Sequence, residues 1–274
     1  MLQKKVKSKI IKELTPYTKY MGCTFFLESA ITEKAELEKV TFDNCSFRGN
    51  GTVVDLGNAE LERIPSCIFA ISNLRNLVLN NNAICEIPEE IGKFMALENL
   101  DLSNNQIKEI PQKIGKLSFL DTLNLRKNQI EEIPKEIGQL SSIENLDLSD
   151  NKIKKIPKEI GQLSSLVCLE LTANKITKIP KEIGNLSSIE YLYLTSNKIK
   201  KIPKEIGQLS SLQYLYLNCN KISEVPQEIG ELVSLKLLNL SANNIKSMPS
   251  KLNKIVKNAI SLGYKDPTYF LDII

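Results

Sequence analysis

The sequence predicts a solenoid of the α/β class, in which short strands alternate with short helices or 3₁₀ turns. Asparagine, proline and glycine each recur with one common step of 23 residues along most of the chain. Each period holds a Leu-x-Leu segment, which is typical of a short strand whose two leucines point inward. Each period also holds an Ile-Pro segment, and proline suits the first turn of a helix. A fixed period of this length indicates units that stack on one another.

The period defines nine units of 23 residues within residues 51–257. The asparagines run from Asn82 to Asn243, and the unit over residues 97–119 reads LENLDLSNNQIKEIPQKIGKLSF. The nine units begin at Gly51, Leu74, Leu97, Leu120, Ile143, Leu166, Ile189, Leu212 and Leu235. Stacking places the Leu-x-Leu strands in one parallel sheet on the concave side and the segments after proline on the convex side. The glycine of each unit either allows close packing between units or ends the short helix.

The unit pattern LxxLxLxxNxIxxIPxxIGxLxx resembles the leucine-rich-repeat family. It is similar to the 23-residue form of bacterial proteins of the Leptospira type and to Ras-regulating scaffold repeats of eukaryotic cells. The resemblance covers about residues 37–257, and it implies a right-handed horseshoe with a ladder of asparagine amides bonded to neighbouring backbone. Members of the family are mostly protein-binding modules. The resemblance therefore implies a non-enzymatic protein-protein interaction module that binds its partner on the concave face.

The two ends of the chain depart from the pattern. Residues 1–36 carry basic side chains around Val6 and Ile10, whose four-residue spacing predicts a short amphipathic helix. Residues 37–50 follow the unit pattern with Cys45 at the asparagine position, and we interpret them as a degenerate N-terminal cap repeat. Residues 258–274 lack the repeat markers and are predicted to form a C-terminal cap.

The predicted partner site lies where the concave positions stop looking alike. Tyr191, Tyr193, Tyr214 and Tyr216 occupy solvent-facing positions on two adjacent strands, so their rings form one exposed patch. Leu237 extends the patch, and Glu170 and Asp147 border it with negative charge. Tyrosine is a favoured residue at binding hot spots. The alternative is that these tyrosines are filler with high strand propensity, which stabilises the sheet through cross-strand pairs.

Lysines that follow the asparagines or flank the prolines form a second candidate surface. They include Lys152, Lys155, Lys175, Lys178 and Lys201. Stacking converts them into stripes that suit a polyanion, as in a surface-exposed or secreted adhesin-like protein that binds host components. Glutamates alternate with these lysines, so a solvated face is the other interpretation. Nucleic acid is not expected, because no aromatic residues are interleaved. Intracellular signalling scaffolding is a third alternative.

The sequence predicts no enzyme, no cofactor and no metal site. The chain has no histidine, and it lacks the phosphate-binding, dinucleotide-binding and zinc-protease motifs. Asp101 and Asp147 lie two strand steps apart, about 9–10 Å, which is too far for short side chains to share one ion. Cys168 borders the tyrosines without a neighbouring base, and such a thiol is usually inert.

Location is predicted by what the sequence lacks. No run of 18 apolar residues predicts a membrane span, and the basic N-terminal stretch has no apolar core of the signal-peptide kind. The six cysteines are widely spaced, which favours free thiols in a reducing compartment. A cytoplasmic location is expected by default, with secretion by another route left open. The partner is predicted to be a protein, and its identity and the oligomeric state stay open.

Overall fold

A computed structural model describes residues 53–71, 73–246 and 248–249, together with the backbone of six short strands between residues 4 and 48. Residues 53–249 contain the repeats as far as they are described. There, one parallel sheet and one row of 3₁₀ helices enclose a continuous layer of leucine and isoleucine side chains.

Nine strands form the sheet, and each pairs in parallel with the strand of the adjacent unit on either side, except at the two edges. They are β7 (Val53–Asp55), β8 (Asn76–Val78), β9 (Asn99–Asp101), β10 (Thr122–Asn124), β11 (Asn145–Asp147), β12 (Cys168–Glu170), β13 (Tyr191–Tyr193), β14 (Tyr214–Tyr216) and β15 (Leu237–Asn239). Residues one period apart are paired, as in Leu123 with Leu146. The sheet is open, with β7 and β15 at its edges. Equal unit lengths produce this register, because every unit returns the chain to the same point one strand further along.

In the described part of the chain, eight helices follow the prolines, and all are 3₁₀ helices of five residues. They are η1 (Ser66–Ala70), η2 (Glu89–Lys93), η3 (Gln112–Lys116), η4 (Lys135–Gln139), η5 (Lys158–Gln162), η6 (Lys181–Asn185), η7 (Lys204–Gln208) and η8 (Gln227–Glu231). In η4 the N–H of Ile137 donates to the carbonyl of Pro134 at 3.1 Å, which is the i to i+3 bond of this helix type. Of the two options that the sequence left open for the convex side, the structure has the 3₁₀ helix.

The glycine of each unit is required by packing between neighbouring 3₁₀ helices. At Gly161 an added Cβ would lie 2.3 Å from the carbonyl oxygen of Glu182 in the next helix. Gly184 has the same relation to Glu205, at 2.5 Å. The first of the two explanations offered by the sequence, close packing between units, therefore holds.

The asparagine ladder links each unit to the one before it. The Nδ2 group of Asn151 donates to the carbonyls of Leu125, Leu148 and Ser149 at 3.0–3.1 Å. Its Oδ1 accepts the N–H of Ile130 at 2.9 Å. The same four bonds recur from Asn105 to Asn243. The ladder implied by the family resemblance is thus present, and it satisfies backbone groups that strand and helix leave unpaired.

The turn before each ladder asparagine contains a residue with positive φ, which the sequence did not reveal. This residue is Asn104 in one unit, but Lys127, Ala173 and Ser196 hold the same position elsewhere, with φ between 52° and 55°. Side chains with a Cβ pay about 1 kcal/mol or more for this conformation. The ladder hydrogen bonds of the next residue hold the turn in place. The position therefore accepts residues such as lysine, alanine and serine, which disfavour a positive φ.

The N-terminal strands correct one prediction. Lys4–Lys7 (β1) and Ile10–Ile11 (β2) are strands, where the spacing of apolar residues suggested a helix. β-branched valine and isoleucine favour strands when a partner strand is available. Here β1 pairs in parallel with Thr18–Met21 (β3), and β2 pairs with Thr24–Phe26 (β4).

The segment interpreted as a degenerate cap repeat also pairs differently from a tenth unit. Thr41–Asp43 (β5) pairs with β3, and Ser46–Arg48 (β6) pairs with β4, whereas the nine-stranded sheet ends at β7. By strand pairing these segments belong with the N-terminal strands, and β6 lies next to η1. The domain boundaries at residues 36, 50 and 257 stay predictions, and the proposed C-terminal cap over residues 258–274 lies outside the described residues.

Candidate functional site

The four tyrosines lie on β13 and β14 in direct register, Tyr191 opposite Tyr214 and Tyr193 opposite Tyr216. Their side chains project from the concave face of the sheet, because Leu192 and Leu215, which lie between them on each strand, point into the core. The rings of Tyr191 and Tyr214 stack with centroids 5.2 Å apart, and those of Tyr193 and Tyr216 with centroids 5.0 Å apart. Tyr191 and Tyr193 are 6.5 Å apart. The four rings form one block, called the tyrosine cluster below.

The cluster is less exposed than the sequence suggested. Tyr191, Tyr193 and Tyr214 are half-buried, whereas Tyr216 is only 6% accessible. Leu237 lies in register with Tyr214 on β15, as predicted, but it is only 7% accessible. Aromatic side chains one strand spacing apart cover one another's faces, so the in-register arrangement itself removes area from solvent. The four rings are contiguous, as the prediction of one exposed patch required, but the prediction is wrong about the exposure of Tyr216 and Leu237, which are buried.

Lys236 belongs to the cluster and was not singled out from the sequence. Its Nζ lies 5.9 Å from the centroid of the Tyr214 ring, within the range of a cation–π contact. The signal was present, because Lys236 immediately precedes the strand residue Leu237 and so lies at the border of the same face.

Glu170 and Asp147 are half-buried carboxylates on the side of the cluster that faces β12 and β11. Glu170 is in register with Tyr193, and its Oε1 accepts the N–H of Thr172 at 2.9 Å. Asp147 accepts the N–H of Ser149 at 2.8 Å and its hydroxyl at 2.6 Å. Burial raises the pKa of Glu170 to about 7, against the opposing effect of the Thr172 hydrogen bond. Burial also raises the pKa of Asp147.

The hydrogen bond that these carboxylates accept is repeated at the equivalent position of other units. In six of the nine described units the residue between the two strand leucines accepts a hydrogen bond from the N–H two residues later, as Asp101 does from Ser103 at 2.9 Å. The bond resembles an Asx turn and closes the end of the strand. A tyrosine cannot supply it, because the phenol oxygen stands at the far end of a rigid ring. Tyr193 and Tyr216 thus occupy positions where a short polar side chain has a local structural use.

Three leucine-rich-repeat family models match the sequence: a leucine-rich repeat region over residues 112–213, a leucine rich repeat model over residues 187–245, and a single-repeat model over residues 73–94 and 96–117. Together they cover nearly all of residues 73–245, which carry the strands, ladder and 3₁₀ helices described above. This chain is a leucine-rich-repeat protein. None of the matching models is a catalytic family.

Solved structures agree with this assignment. The leucine-rich-repeat protein is 35% identical to an LRR protein of Leptospira interrogans, with a TM-score of 0.65 over 86% of this chain and 56% of that one. It is 28% identical to the LRR ectodomain of the Arabidopsis thaliana receptor kinase GASSHO1/SCHENGEN3 in complex with CASPARIAN STRIP INTEGRITY FACTOR 2, with a TM-score of 0.63 over 88% and 36% of the two chains. It is 25% identical to the plant peptide hormone receptor RGFR1 in complex with RGF2, with a TM-score of 0.62 over 87% and 40%.

The chain spans little more than half of the Leptospira protein and a smaller share of the plant receptors. No curated protein matches the sequence. A likeness to Leptospira proteins was expected from the repeat pattern, and it is confirmed.

The lysines of the leucine-rich-repeat protein lie in rows outside the concave face. Lys155, Lys178 and Lys201 have equivalent positions in three successive units, and all three are exposed. Among the residues that the structure describes, the ion pairs join Arg75 to Glu98, Arg126 to Asp150 and Lys154 to Glu131. The rows therefore carry their charge largely without internal partners.

The described part of the chain offers little for catalysis. Over these residues no group of three or more cysteines, aspartates and glutamates is placed to hold a metal ion. Burial raises the pKa of the Cys168 thiol to about 12, so this residue stays protonated at neutral pH. Within the same residues no helix has the length and apolar character needed to cross a membrane.

Proposed function

We propose that this leucine-rich-repeat protein is a non-enzymatic interaction module that captures a protein partner on its concave face, at the tyrosine cluster. The observation that carries the proposal is the in-register block of four stacked rings on β13 and β14. Tyrosine combines a large apolar area with a polar tip and loses little side-chain entropy when it is buried by a partner. Half-buried, mutually supported rings are already ordered, which lowers the entropic cost of binding.

The filler interpretation is weakened by the hydrogen bonds of the other units. Six units use the position between the strand leucines to close the end of the strand, and Tyr193 and Tyr216 give up that bond. Aspartate or asparagine holds this position in five of those six units. Two structural relatives, the plant receptors, were solved in complex with peptide ligands or factors, which supports a binding use of this fold.

The test replaces the two tyrosines by the residue types that other units hold at this position. We expect Tyr193→Asp with Tyr216→Asn to abolish capture of the partner from lysate of the source organism or of its host, measured at a temperature where circular dichroism shows the variant to be folded. Val78→Asn is the matched control, because Val78 has the equivalent position on β8, five strands from β13. Capture that survives the double change, or is lost equally in the control, would refute the proposal.

The lysine rows support a second candidate function, the binding of a polyanion. Lys155, Lys178 and Lys201 are exposed and take part in none of the ion pairs of the described residues. Binding through such a surface weakens steeply when salt is raised, because exposed charges are screened within about 8–10 Å. Binding of a sulfated polysaccharide that is unchanged between 20 mM and 200 mM salt would exclude this function.

A further inference from the structure

We propose that the partner presents a basic segment, and that one of its arginine or lysine side chains lies over the Tyr193 ring and pairs with the Glu170 carboxylate. This inference rests on the proposed use of the concave face and adds the chemistry of the partner to it. Three features carry it: the direction of ring stacking, the charge along the concave face, and the environment of Glu170.

The tyrosine cluster already accepts a cation at one end. The rings stack along the direction that crosses the strands, since the centroid separations of 5.0 and 5.2 Å match the spacing of neighbouring strands. Lys236 on the β15 side places its ammonium group 5.9 Å from the Tyr214 centroid. The opposite end of the stack faces β12, where Glu170 is in register with Tyr193. A cation that lies above that end would contact both the Tyr193 ring and the Glu170 carboxylate, since the two residues lie on adjacent strands about 4.8 Å apart.

The concave face next to this end is acidic. Glu98, Asp121 and Glu144 stack in one column at its border, where each backbone N–H donates to the carbonyl one unit earlier. Arg75 pairs with Glu98, but Oδ1 of Asp121 is buried without a hydrogen-bond partner, and none of the described residues forms an ion pair with Glu144. A basic partner segment that runs along this column would meet the exposed Glu144 carboxylate, which forms no ion pair within the described residues.

No basic side chain of the described residues pairs with Glu170 or Asp147. The charge of Arg126 opposes the rise in the pKa of both carboxyls, yet its Nε bonds to Asp150 at 3.2 Å. The groups around Glu170 are Asp147 on β11, Tyr193 on β13 and Cys168 on its own strand. None of these is a cation. An incoming guanidinium would supply a positive charge and further hydrogen-bond donors beside the N–H of Thr172.

The proposal makes binding depend on pH. The raised pKa of Glu170, about 7, means that the carboxyl group is partly protonated near neutrality. A cation binds the ionised form, so affinity should rise between pH 6 and pH 8. The chain has no histidine, which is the side chain that ordinarily titrates in this interval.

The experiment uses N-acetylated hexa-arginine amide as probe and hexa-glutamate as its counterpart, with binding measured by calorimetry on the full chain. We expect hexa-arginine to bind, and Glu170→Gln to weaken its binding about tenfold at pH 8, which is typical of a lost charge-assisted pair. The wild-type affinity should rise from pH 6 to pH 8, and the rise should be absent in Glu170→Gln. Gln preserves an acceptor for the N–H of Thr172, so the variant keeps the local fold.

Glu224→Gln is the matched control, because it removes the same charge from an exposed residue off the nine-stranded sheet. Its effect on hexa-arginine should be less than about twofold if the attraction is local rather than general. Equal weakening in the two variants, absence of hexa-arginine binding, or binding of hexa-glutamate that depends on Glu170 or Tyr193, would overturn the inference. The proposed function survives a failure of these measurements if Tyr193→Asp with Tyr216→Asn still abolishes partner capture. If that double variant still captures the partner, the proposed function is refuted whatever the hexa-arginine probe shows.

Discussion

At the residue scale, the position between the two strand leucines has different roles in different units. Between the strand leucines, Asp101 and Asp147 close the strand end with a hydrogen bond, whereas Tyr193 and Tyr216 carry stacked rings. The backbone around them is the same, since all four lie in the same register of one sheet. The difference therefore reflects the side chain alone, and it marks where the surface departs from what the fold requires.

Glu170 provides a prediction at this scale. Its pKa is raised in the folded protein, so the protonated form is favoured there, and its contribution to stability is present at low pH and lost as pH rises through about 7. We expect Glu170→Gln to be more stable than wild type by about 1–3 kcal/mol at pH 8 and nearly equal to it at pH 4. Thermal or urea unfolding at the two pH values measures this. A difference that does not change with pH would contradict the assignment of the raised pKa.

At the element scale, the 3₁₀ helices depend on close contact more than on intrinsic helix preference. Each has five residues and begins after a proline with extended backbone, as η5 does after Pro157. Its neighbours η4 and η6 pack so closely that the glycine position has no room for a methyl group. The repeat length is thus matched to the spacing of the helices as well as to that of the strands.

Gly161→Ala tests this packing. The new Cβ would meet the Glu182 carbonyl at 2.3 Å, and backbone cannot move aside as a flexible side chain can. We expect a loss of about 1–3 kcal/mol in the free energy of unfolding, which is the usual effect of overpacking. Lys158→Ala, at an exposed residue of the same helix, is the control and should change stability by less than about 0.5 kcal/mol. Comparable losses in the two variants would argue against a steric role for the glycine.

At the scale of the whole molecule, stability is a sum of contacts between neighbouring units. Hydrogen bonds of the ladder and contacts of the core join each unit to the next, and no part of the described solenoid packs against a distant one. Charge is also arranged at this scale. Lysines gather outside the concave face, and carboxylates line the concave face beside the tyrosine cluster. The two surfaces therefore suit partners of opposite charge.

A substitution in the asparagine ladder tests how strongly neighbouring units stabilise one another. Asn151→Ala would leave the N–H of Ile130 without its acceptor and remove one of the two amide donors to the Leu125 carbonyl, at a cost of about 1–3 kcal/mol. Because the lost bonds join two units near the middle of the stack, we expect unfolding by urea to become less cooperative as well as earlier. Asn145→Ala, at an exposed concave asparagine of the same unit, is the control. An unchanged midpoint for Asn151→Ala would show that the ladder contributes little.

The solenoid was predictable because its information is local and repeated. The Leu-x-Leu strands, the helices after proline, the ladder asparagines and the position of the tyrosine cluster all follow from a period of 23 residues. Outside the repeats the prediction of secondary structure was wrong. The spacing of Val6 and Ile10 suggested a helix, but the segments that contain them are strands that pair with β3 and β4.

For the candidate site, too, some properties followed from the sequence and others only from the tertiary structure. The sequence determined which side chains share the concave face, because register follows from the repeat. Only the tertiary structure decided that Tyr216 and Leu237 are buried, that Lys236 reaches the Tyr214 ring, and that no basic side chain among residues 53–249, as far as they are described, pairs with Glu170. These properties depend on how side chains of neighbouring units cover one another. A one-dimensional pattern specifies which residues are neighbours, whereas burial and charge pairing depend on the three-dimensional distances between them.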